Sequence, residues 1–96
     1  SYEVPKAIQL AVSNRMERCF TRFNAYNAEA CSTAASATSE RGWYRVAGEV
    51  TATTFTLTAT PQGVQATRDT QCGALTLTHT GVRGKGGTAS VADCWQ

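Results

Sequence analysis

From Pro5 to Asn24 the chain carries no glycine, and Ile8, Val12, Met16, Cys19, Phe20 and Phe23 recur at helical spacing. At 100° per residue these six side chains fall inside an arc of roughly 120°, the width of a core-facing stripe. The pattern predicts a helix over about 5–24, with Pro5 in a first turn where its missing N–H would have no partner anyway. Arg15, Arg18 and Arg22 line a second stripe. Val4, Ala7, Leu10 and Ala11 lie off the core-facing stripe, so the first half of the helix is apolar on more than one side. A helix with two apolar sides needs two partners. The expectation is that its second half packs on this chain's own sheet. Val4, Ala7, Leu10 and Ala11 would then meet something outside it, as a candidate inter-subunit face.

After residue 42 the period changes. Tyr44, Val46 and Val50 alternate with Arg45 and Glu49; Phe55, Leu57 and Ala59 alternate with Thr54, Thr56, Thr58 and Thr60; Leu75 and Leu77 alternate with Thr76 and Thr78. Strict period two with β-branched residues on one side predicts half-buried antiparallel strands over 43–50, 53–60 and 74–79. Gly48 leaves the end of the first uncertain, and Pro61-Gln62-Gly63 breaks the second. The small, polar stretch 25–42 reads as a helix-to-sheet loop, and Gly81, Gly84, Gly86 and Gly87 as turns and a loose connector. The expected architecture is a single α+β domain over 1–96. One amino-terminal helix packs on a three- to four-stranded antiparallel sheet spanning 43–79.

The core is thin for such a fold. Hydrophobic residues make up 42% of 96, but fifteen are Ala and four are Cys, leaving twenty-one large side chains. A chain this short hides only about 60–65% of its unfolded surface, so covalent support is expected. Four Cys allow three pairings. With no C-x-x-C and one His, a zinc site is poorly supplied, and disulfides formed in an oxidising compartment are the better reading. Spacing favours Cys19–Cys31 and Cys72–Cys94, with the crossed pairings left open.

Residues suited to reaction chemistry are sparse and scattered along the chain. His79 lies in a Thr-rich strand with no acid nearby in sequence, and Asp69 and Asp93 read as turn or cap residues. Gly84-Lys85-Gly86-Gly87 lacks the spacing of a phosphate loop. No enzyme, metal or cofactor is expected. The formal net charge of +2 does not by itself argue for a nucleic-acid binder. The weaker signal is local: Arg15, Arg18 and Arg22 on the helix, with Arg83 and Lys85 in a loop, are candidate contacts for DNA or another anion. Trp43 and Trp95 are expected against the sheet or a disulfide.

Three stretches together carry a family resemblance. Asn14-Arg15-Met16-Glu17-Arg18-Cys19-Phe20 is similar to the Arg-Met-Glu-Arg-aromatic stretch of minor type IV pilins of the PilE-like group. Thr54 to Pro61 resembles that group's central strand. Asp69-Thr70-Gln71-Cys72-Gly73-Ala74-Leu75-Thr76-Leu77, closed by Asp93-Cys94-Trp95, resembles its tail. The resemblance implies a pilin headpiece with a terminal loop (72–94) bracketed by Cys72 and Cys94. It also implies a structural subunit of a type IV pilus, used for motility, adhesion or DNA uptake. Partners would be other pilin subunits of the same filament and, through a preceding apolar helix that this chain lacks, the inner membrane. The headpiece would be periplasmic before assembly and at the bacterial surface afterwards, and monomeric when isolated. The alternatives are a type II secretion pseudopilin and a pilus-borne DNA receptor using the basic surface.

Overall fold

A computed structural model describes residues 5–68 and 70–95, with Arg68 described by its backbone alone. Helix α1 runs over Pro5–Phe23. Asn24 ends it in the left-handed region (φ 55), its N–H bonded to Phe20 O at 2.8 Å, as an Asn just past a helix end permits. A 3-10 turn, Glu29–Cys31, leads to strands β1 (Ala37–Thr38), β2 (Tyr44–Val50) and β3 (Phe55–Pro61). A short helix α2 (Val64–Arg68) precedes β4 (Leu75–Thr78) and β5 (Arg83–Lys85), and α3 (Val91–Cys94) closes the described chain.

The strands form one antiparallel sheet in the order β1-β2-β3-β4-β5. The register places Tyr44, Val46, Phe55, Leu57, Ala59, Leu75 and Leu77 on the face toward α1, all buried. Arg45, Glu49, Thr56, Thr58, Thr60, Thr76 and Thr78 take the other face, so the period-two reading holds in all three central strands. Two further strands join them. β1 and β5 have two and three residues, no apolar alternation, and sit at the two sheet edges. They form by backbone pairing to already ordered neighbours, which leaves no hydrophobic period to read, so five strands replace the expected three to four.

The helix also departs from expectation. Its buried line is Pro5, Gln9, Val12 and Met16, so the first half as well as the second packs on the sheet of this chain. The line includes a polar residue that replaces an apolar contact with a brace. Gln9 is fully buried, and its Nε2 donates to Leu75 O at 2.7 Å and Leu57 O at 3.4 Å, tying α1 to two adjacent strands. Phe23, expected in the core stripe, is 42% exposed, because the core ends at Phe20, whose ring lies 4.8 Å from Tyr26. Tyr26 folds back over the sheet between Phe20 and Phe55.

The disulfides are Cys19–Cys31 and Cys72–Cys94. The first fastens α1 to the segment leading into β1, which lies so close to β2 that only glycine fits at 48. The second carries α3 onto the inner face of β4, where Trp95 packs with Leu75, Leu77 and the bridge itself. Trp95 Nε1 donates to Gly84 O at 3.0 Å.

Candidate functional site

Among the described residues no group of His, Cys, Asp or Glu is placed to hold a metal ion. The one histidine is structural: His79 N–H bonds to Phe55 O at 3.0 Å, extending the β3–β4 pairing, and its ring packs by Tyr26 and Phe55. Asp93 lies in the first turn of α3, its N–H bonded to the Ser90 hydroxyl, while Asp69 lies outside the described residues. Both cysteine pairs are oxidised, so no described thiol is free.

The five candidate basic residues divide into two groups that the fold keeps apart. Arg15, Arg18 and Arg22 stand on the side of α1 facing the 31–36 segment, next to β1. With Cys19, Phe23 and Ala34 they line a groove of about 380 Å³. The Arg15 guanidinium is half-buried and donates to Ala34 O (3.2 Å) and Ser36 O (3.3 Å), both uncharged, while its Nε is buried with no partner. Arg22 stacks over Phe23 at 5.4 Å. Arg18 is exposed and, among the described residues, makes no hydrogen bond or ion pair. Glu17, the nearest acid in sequence, does not neutralise this stripe: its carboxylate turns to Tyr26, accepting the phenol proton at both oxygens. Burial, helped by the Glu17 hydrogen bond and charge, pushes the Tyr26 phenol up to about 12.

Arg83 and Lys85 occupy the opposite edge, on β5. They belong to a strand rather than the expected loop, and the register points them to the same face as Leu77 and Leu75. There the Arg83 guanidinium lies over Trp95 at 5.1 Å and Lys85 Nζ donates to Gly87 O at 2.8 Å. Four strand spacings, about 19 Å, separate β5 from β1, so the five basic residues do not form one patch. Of the candidate inter-subunit face, Ala7, Leu10 and Ala11 are exposed together on α1, and Val4 lies outside the described residues.

The family model described as "Type IV minor pilin ComP, DNA uptake sequence receptor" matches residues 6–76. The chain belongs to this type IV minor pilin family. Two solved pilins share its fold: a type IV pilin from Shewanella oneidensis (24% identity, 95% of this chain and 89% of that chain covered, TM-score 0.67) and the non-core minor pilin PilV of Neisseria meningitidis (21% identity, 88% and 82% covered, TM-score 0.67). No curated protein is significantly similar in sequence. This minor pilin is therefore a structural subunit of a type IV surface pilus, and its own headpiece is an amino-terminal helix on an antiparallel sheet with two disulfides. The family match favours the pilin reading over the pseudopilin alternative.

The signal that sequence reasoning missed is Gln9. A polar residue one turn after Pro5 and one turn before Val12 and Ser13 reads as surface, whereas its amide sits in the core and carries the helix-to-sheet tie.

Proposed function

We propose that this minor pilin serves as a DNA receptor of its filament, holding DNA by its headpiece and catalysing no bond chemistry. The family match carries the reading, because the matched model describes a DNA uptake sequence receptor. The uncompensated arginines of α1 supply the positive surface that such a role requires. In the intact protein an apolar helix ahead of residue 1 anchors the subunit in the inner membrane before assembly. Ala7, Leu10 and Ala11, exposed on α1, then pack against neighbouring helices in the filament.

The test is fluorescence anisotropy of a short labelled duplex at rising salt. The expected result is binding at low ionic strength that falls steeply and linearly on a log–log scale. Undetectable binding at low salt refutes the receptor role and leaves the structural role intact.

A further inference from the structure

We propose that the groove between α1 and the 31–36 segment, lined by Arg15, Arg18, Arg22 and Phe23, is where this pilin grips the DNA phosphate backbone. The proposal rests on the receptor reading above and assigns its site.

Charge is the first argument. Three guanidinium groups face one groove, and none of the residues lining it is a carboxylate. A partly desolvated cation held only by neutral carbonyls keeps its full charge and favours an anionic partner. Arg15 is in that position, and its two carbonyl bonds fix its guanidinium before any ligand arrives.

Spacing is the second. Arg15 to Arg22 spans seven residues, about 10 Å of helix axis at 1.5 Å per residue. One DNA strand advances about 3.4 Å along the duplex axis per nucleotide, so a row of this length laid along the axis covers about three nucleotide steps. Shape is the third. The groove is open and shallow, and the half-exposed ring of Phe23, already stacked by Arg22, offers an apolar wall to a deoxyribose rather than a slot for a base. Such a site holds the backbone without reading sequence.

The β5 edge is the rival, and its cations are already engaged: Arg83 on the Trp95 ring, Lys85 on the Gly87 carbonyl. Arg15 and Arg22 hold comparable contacts, so the two sites differ in number: three guanidinium groups on one groove against two cations, with Arg18 alone making no hydrogen bond or ion pair among the described residues.

The experiment compares salt dependence of duplex binding for Arg18→Ala/Arg22→Ala and Arg83→Ala/Lys85→Ala. Each lost phosphate contact lowers the log–log slope by about 0.9, so the α1 pair should lower it by about 1.8 and the β5 pair should leave it unchanged. Arg18→Lys/Arg22→Lys should retain the native slope, because lysine still neutralises phosphate. Thermal melting checks the fold, which these exposed side chains do not support. If the native protein binds and the β5 pair alone carries the slope, the groove assignment falls while the receptor role stands. If the α1 pair abolishes pilus incorporation but leaves binding unchanged, the groove holds a carboxylate of a neighbouring subunit and the proposal is overturned. Absence of binding by the native protein removes the receptor role and this site with it.

Discussion

Replacing Gly48 by alanine tests how the helix-to-sheet segment is held. Gly48 lies within β2, opposite Leu57. An added Cβ would stand 2.7 Å from Ala35 Cβ, 3.0 Å from Leu57 Cδ2 and 3.3 Å from Ala35 O. Carbon atoms in ordinary contact sit about 3.5–4.0 Å apart, so the first approach is too close by nearly 1 Å. Two of the three neighbouring atoms belong to Ala35 and cannot swing aside without moving backbone. Overpacking of this kind costs about 1–3 kcal/mol, against which the lower chain entropy of alanine in the unfolded state returns about 0.5–1 kcal/mol. At the middle of these ranges the net expectation is a loss of about 1 kcal/mol, or about 4–8 °C in melting temperature for a domain of this size. Urea unfolding under oxidising conditions, followed by tryptophan fluorescence, reads the change as a lower midpoint at unchanged slope. Ala35→Gly in the same chain removes the 2.7 Å clash, so a double-mutant cycle should show favourable coupling. A Gly48→Ala protein as stable as the native one, or a cycle without coupling, would refute the packing argument. The consequence reaches the groove, because Ala35 sits between the two carbonyls that hold Arg15.

Three further outcomes follow from the same structure. Gln9→Glu should cost about 3–5 kcal/mol at neutral pH, since a buried carboxylate would face the oxygens of Leu75 and Leu57. Its folded pKa would be raised, so the deficit should shrink as pH falls and the acid regains a proton to donate, as urea midpoints at neutral and acidic pH would show. The Tyr26 phenol, held up to about 12, should be the late step in a phenolate absorbance titration, and Glu17→Gln should lower it only in part because burial is the larger cause. Since the folded pKa lies above the ordinary value of about 10, this stabilisation is complete below pH 10 and is lost as pH rises through about 12. Replacing Cys19 and Cys31 together by serine should cost about 3 kcal/mol on the chain-entropy model for a separation of 12, measured as a fall in melting temperature.

What was legible in the sequence follows a physical divide. The helix and the three central strands bury one face each, and burial imprints a period; the expected 5–24, 43–50, 53–60 and 74–79 lie within two residues of the observed ends. β1 and β5 bury little and are held by main-chain bonds, which any small residue satisfies, so Ala37–Thr38 and Arg83–Lys85 read as loop. Gln9 gave no signal for the converse reason: its amide meets carbonyls 48 and 66 residues away, a pairing no local window contains. The two-sided apolarity of the helix was legible in Ala7, Leu10 and Ala11, but the inner partner of its first half had to be seen. For the basic residues, the stripe on α1 is a matter of helical spacing and was visible. Its separation from Arg83 and Lys85 depends on strand order and was not.

The two sulfur bridges set how far this subunit can be drawn out under tension. A pull entering through α1 and leaving at the tail bypasses residues 20–30 by one bridge and 73–93 by the other. Between the bridges only the chain from 31 to 72 is free to extend, about 140 Å when taut. The last turn of α1, β4, β5 and α3 lie outside that load path, so a strained filament could yield in the middle of its headpieces while the helix end and tail remain unstretched.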